Sequence, residues 1–194
     1  MQNNSSQKFS WRVVDIVVAS VVGVASGVIF WAWGLLYAPV SAALETTPGL
    51  TALMGGGWLF AAVLGALIVR KPGAAIYTEL IAAIVSALLG SAWGFSTLVS
   101  GVVQGLGAEI VFALFLYANW RLGASILAGA GAALFMSIND LIVWYPGSDG
   151  TFIATYVISA LISGAVLAGI VPFYAVKALA RGGALTRFPA GQLA

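Results

Sequence analysis

The chain contains no cysteine and no histidine, and only 7% of its 194 residues are charged. Without cysteine there is no disulfide and no thiol nucleophile. Without either residue nearly every zinc, copper or haem site is excluded, and no Ser–His or Cys–His pair can form. No GxxxxGK[ST] loop is present, so the chain does not bind nucleotide phosphates in that way. A net charge of +2, scattered along the sequence, excludes a nucleic-acid surface. An enzyme built here would have carboxylates alone to work with. The composition therefore reads as a protein that is not an enzyme and carries no cofactor.

What is abundant is apolar surface. Hydrophobic residues make up 61% of the chain and the mean hydropathy is +1.05. A soluble domain carries about 25% charged residues because its surface faces water. This chain has too few charges to coat a globule, so its solvent is lipid.

A bilayer core takes about 20 apolar residues per helix. Six stretches qualify: 13–37, 50–69, 74–92, 97–118, 122–145 and 151–177. Short turn-rich or charged breaks separate them, including the segment from Pro39 to Gly49, Arg70-Lys71-Pro72-Gly73 and Asn119-Trp120-Arg121. The expected fold is an all-α polytopic membrane protein, with six transmembrane helices in one bundle over residues 13–178. Tails 1–12 and 179–194 flank it. The segment 1–12 is polar and lacks a small-residue cleavage site after it, so it reads as a retained tail.

Lys8, Arg12, Arg70, Lys71, Arg121, Lys177, Arg181 and Arg187 all fall on one side of such a bundle. The opposite loops carry Glu45 and Asp149. The positive-inside rule then places both termini in the cytoplasm of a multi-pass protein of the cell membrane.

Charged side chains at membrane depth are costly and usually face a cavity or a partner. Glu109 falls near the middle of the fourth span, in Gly105-Leu106-Gly107-Ala108-Glu109, with no basic residue in any span to pair with it. It is either a protonated acid bonded to a neighbouring helix or a carboxylate completed by a cationic ligand. Glu79 lies nearer the cytoplasmic end of the third span, where it is either a ligand group or wetted from that side. Gln104, Asn139 and Asp140 sit in the outer halves of their spans. Trp33, Trp93, Trp144 and Tyr145 gather at the outer ends, as an interfacial belt or as stacking faces. Together these groups suit a flat cationic or amine-bearing molecule. Gln104 and Glu109 are five residues apart, roughly 140° around a helix axis, so both cannot point straight at one ligand.

Ala19, Gly23 and Gly27 form a small-residue stripe on the first span, suited to close helix packing within the bundle or against another membrane protein.

Four segments, Trp11 to Gly34, Tyr77 to Gly94, Gln104 to Phe115 and Ser137 to Tyr145, in order and without large gaps, resemble the YkoE family of substrate-binding S components of energy-coupling factor (ECF) importers. The resemblance implies capture of thiamine, or its hydroxymethylpyrimidine precursor, from outside. It implies delivery through a transmembrane T component driven by two cytoplasmic ATPases, with Ala19, Gly23 and Gly27 as the docking stripe. On that reading Glu109 is the residue completed by the ligand. The rival expectation is a proton-coupled secondary transporter in which Glu109 alternates between a proton and an organic cation.

Overall fold

The computed structural model of the chain describes residues 9–44 and 46–193; Lys8, most of the expected N-terminal tail and Glu45 lie outside the described residues. The described residues contain helices and no strand. In chain order these are α1 (Val13–Leu44), a 3-10 helix (Leu50–Trp58) leading into α2 (Phe60–Val69), α3 (Ala74–Leu88), α4 (Ser96–Leu114), α5 (Leu122–Val143) and α6 (Gly150–Ser163). A π-helical stretch (Gly164–Ile170) then joins α6 to α7 (Val171–Arg181), and a short 3-10 helix (Pro189–Leu193) follows.

Among the described residues, five runs are long and apolar enough to cross a bilayer: Val13–Leu44, Leu50–Val69, Ser96–Leu114, Leu122–Val143 and Gly150–Arg181. Ala74–Leu88 is shorter, at 15 residues. The sequence reading misplaces several boundaries. α1 does not break at Pro39 but runs 32 residues to Leu44, about 48 Å at 1.5 Å per residue. α3 ends at Leu88 instead of 92, because Gly90 takes a left-handed backbone. α4 ends at Leu114 because Leu116 and Tyr117 also turn left-handed. The expected C-terminal tail is packed: α7 continues to Arg181, and Leu185, Phe188 and Ala190 are buried.

The second run is the hub. An all-apolar helix in a membrane can face lipid or other helices; here it faces helices, since eight of the ten residues of α2 are buried. The 3-10 stretch before it is drawn close to its neighbours through Gly55, Gly56 and Gly57. The Gly56 N–H donates to Ser163 Oγ at 3.0 Å, Trp33 Nε1 donates to Met54 O at 2.9 Å, and Trp58 Nε1 donates to Phe30 O at 3.0 Å. The π-helical stretch ends against Pro172, which has no N–H with which to continue an α ladder.

Five of the cations cluster at one end of the bundle. Asp15 is fully buried there. It accepts from the Arg12 N–H as the acid of a capping box does, pairs with the Arg12 guanidinium at 2.8 Å, and pairs with Lys71. Arg70 lies over the Trp120 ring and shares a cavity with Arg121 and Lys177.

The Ala19, Gly23 and Gly27 stripe is not an outer face. It packs on α3 within the bundle: a Cβ on Gly27 would stand 2.6 Å from Ala82 O, and one on Gly23 would stand 2.7 Å from Ile81 Cβ. Of the two expectations for this stripe, close packing within the bundle is the one the structure displays. The residues α1 exposes are Val17, Val21, Val24, Val28 and their neighbours. Gly27→Leu should therefore destabilise the isolated protein by about 1–3 kcal/mol or more through overpacking, while Val24→Leu on the outer face should not. Thermal unfolding in detergent checks this, and an unchanged melting temperature for Gly27→Leu would contradict the packing.

Candidate functional site

At the end of the bundle opposite the cations, a cavity of about 330 Å³ opens between the 3-10 helix, α1, α3, α4, α5 and α6. Its aromatic wall is built by edge-on contacts. Trp58 and Trp93 rings lie 5.1 Å apart, and Tyr37 contacts both, at 5.7 and 5.3 Å. Such arrangements leave ring faces available for another flat group. Trp58 is aimed there because its indole N–H is tied to the Phe30 carbonyl. On the other side, Tyr145 packs against Tyr156 at 5.3 Å, and half-exposed Trp144 stands at the mouth.

Two carboxyl groups line this cavity. Asp140 on α5 accepts from Tyr156 Oη at 2.8 Å and from Asn139 Nδ2 at 3.2 Å, so its orientation is set by neighbours. Glu79 on α3 is fully buried. Its Oε2 accepts from the Ala62 N–H at 2.6 Å. That amide is the third of α2, one of the first N–H groups of a helix, which have no partner within it. Glu79 Oε1 is buried with no hydrogen-bond partner. A buried polar atom left unpaired costs about 1–3 kcal/mol, and here the atom belongs to a residue of the cavity wall.

Of the residues expected from the sequence, the cavity brings together Glu79, Trp93, Gln104, Asp140, Trp144 and Tyr145. It does not include Glu109, Asn139 or Trp33. Asn139 acts through Asp140, and Trp33 sits behind Trp58 with its rings 6.5 Å away. Glu109 is the main correction. Its Oε1 accepts from the Gly73 N–H at 2.6 Å and from Tyr117 Oη at 2.8 Å, and its Oε2 accepts from the Ala75 N–H at 2.9 Å. It therefore holds the first amides of α3, where the positive end of the helix dipole favours a carboxylate. The left-handed residues Leu116 and Tyr117 turn the chain back so that the phenol reaches it. Two backbone amides and one phenol of the protein itself satisfy this carboxyl group.

Sequence reasoning missed Trp58, Phe30, Met136 and Tyr156 in the lining. For Trp58 a signal existed, since it directly follows the Gly55 to Gly57 run that permits close approach. For Tyr156 none did, because its pairing with Asp140 joins two helices that only the fold brings together.

Residues 14–135 match the family of ABC-type cobalt transport system permease components. The HMP/thiamine permease protein YkoE of Bacillus subtilis (strain 168) is 36% identical over 186 residues, covering 94% of this chain and 92% of that protein. The crystal structure of an S-component of an ECF transporter matches with a TM-score of 0.89 at 34% identity, covering 94% of this chain and 92% of that one. The fold and these matches define a multi-pass transport protein of the cell membrane, not an enzyme. The chain belongs to the family of ECF transporter S components that includes YkoE.

Replacing Glu109 tests the division of labour between the two glutamates. Glu109→Gln should lower stability by about 1–2 kcal/mol, the usual cost of a lost helix cap, and leave the cavity's ligand affinity nearly unchanged. Thermal unfolding and a binding titration on the same preparation distinguish this from a ligand-contacting role, which would show the opposite pattern.

Proposed function

We propose that the chain captures thiamine or its hydroxymethylpyrimidine precursor from outside the cell, as the substrate-binding subunit of an ATP-driven importer. The observation that carries this reading is Glu79 Oε1, buried and unpaired in the wall of a cavity rich in aromatic residues. The aminopyrimidine ring common to both compounds presents an amino group to such an oxygen and a flat face to Trp58 and Trp93. The thiazolium of thiamine adds a fixed positive charge, for which Asp140 near Trp144 is the partner. A carboxylate facing a cation in a cavity of low dielectric gains far more than in water. The permease name of the Bacillus relative supports the same class of substrate. The cobalt of the matched family description fits this lining poorly, since the chain has neither histidine nor cysteine to offer a transition metal.

On this reading six helices span the membrane with both termini in the cytoplasm. The cationic end faces inward by the positive-inside rule, and the cavity opens outward. The partners are a transmembrane T component and two cytoplasmic ATPases. The T component must dock on a face the bundle leaves open, because the small-residue stripe of α1 is occupied by α3. The secondary-transporter alternative loses its support, since three donors already hold Glu109 away from the cavity.

Purified protein should bind thiamine with quenching of tryptophan fluorescence. Glu79→Gln should weaken both thiamine and hydroxymethylpyrimidine by about 1–3 kcal/mol, the worth of a hydrogen bond to a charged group. Asp140→Asn should weaken thiamine alone, because the precursor has no fixed charge. Equal losses for both compounds in Asp140→Asn would remove Asp140 from its role opposite the thiazolium.

A further inference from the structure

A second cavity, of about 340 Å³, lies at the cationic end between the end of α2, the α4–α5 link and α7. Its lining is Leu67, Arg70, Ala118, Trp120, Arg121, Phe173, Val176 and Lys177. Three of these eight are cations and none is an acid. Among the described residues, ion pairs occupy only Arg12, Lys71 and Asp15, so none of the three cations of this cavity is in a salt bridge. Arg70 is the most constrained. Its guanidinium lies 5.9 Å from the Trp120 ring centroid, its Nε donates to Leu67 O at 3.2 Å, and its Nη2 is buried without an acceptor. Burial also pulls the Arg70 guanidinium below its usual value, the behaviour of a cation that has lost water without gaining an anion.

We propose that this cavity binds the phosphate headgroup of an anionic phospholipid of the inner leaflet. The proposal rests on the inward orientation of the cationic end given above. The remaining five lining residues are apolar or aromatic, a surface that a free phosphate ion could not use and that the glycerol and upper acyl carbons of a lipid can cover. Basic recesses between helix ends on the cytoplasmic side are suited to such headgroups, because each Lys or Arg near the surface adds attraction to an anionic leaflet. The bound lipid would join three parts of the bundle by closing α2, the α4–α5 link and α7 around one anion.

The test is native mass spectrometry of delipidated protein exposed in parallel to phosphatidylglycerol, phosphatidylcholine and inorganic phosphate. We expect one phosphatidylglycerol to be retained in preference to phosphatidylcholine. The triple variant Arg70→Gln, Arg121→Gln, Lys177→Gln should reduce that retention by on the order of tenfold, the effect of removing charged hydrogen-bond partners. Thiamine binding in the outer cavity should persist in the variant and reports that it is folded. Should the triple variant fail to fold, Lys177→Gln alone should still lower retention by about two- to threefold. Equal retention of the two lipids by the unaltered chain would overturn the proposal, as would full displacement of phosphatidylglycerol by millimolar inorganic phosphate. Unchanged retention in the folded variant, with assembly on the T component lost, would assign these cations to the protein interface and overturn it equally.

Discussion

The first amides of a helix have no partner within that helix, and in a bilayer they cannot turn to water. Two of the helix starts in this protein meet that constraint with glutamate. Glu109 takes the Gly73 and Ala75 amides at the start of α3, and Glu79 takes the Ala62 amide near the start of α2. The links form a chain through the core. Glu109 on α4 fixes α3, and α3 carries Glu79, which in turn fixes α2. Because α2 is the buried hub of the bundle, these two side chains tie together the helix starts on which most of the other helices pack.

The difference between the two glutamates produces the site. Glu109 accepts from three donors and has both oxygens occupied. Glu79 spends one oxygen on structure and leaves the other buried and unpaired. A single carboxyl group thereby joins the start of the hub helix to an unpaired oxygen in a residue of the cavity wall. Asp140, braced by Tyr156 and Asn139, supplies a second acid to the wall of the same cavity. In the aromatic wall, Trp58 is held by its bond to Phe30 O, Tyr156 by its bond to Asp140, and Tyr37 and Trp93 by edge contacts.

Much of this was legible in the sequence, and the limits have physical causes. The oily stretches and the segregation of basic residues indicated a membrane bundle, because lipid imposes composition directly. Glu79, Asp140, Gln104 and the outer aromatics were identifiable because polar groups stand out in an apolar chain. The role of Glu109 was not legible. A buried carboxylate looks the same in sequence whether it meets a ligand or the amides of a helix 34 to 36 residues away. The stripe of Ala19, Gly23 and Gly27 has the same ambiguity: small residues announce a close approach but not the approaching partner. The extension of α1 through Pro39 was not legible because proline biases a backbone without fixing its course, and the early end of α4 was not because its left-handed residues, Leu116 and Tyr117, are not glycines.

The central claim is that Glu79 is the group a ligand completes. A structure determined with thiamine bound tests it most directly. The account predicts the aminopyrimidine amino group at about 3 Å from Glu79 Oε1, within hydrogen-bond distance, with the ring against Trp58 or Trp93 and Glu109 still bound to the start of α3. Thiamine seated elsewhere, or Glu79 Oε1 still without a partner beside the bound vitamin, would contradict it.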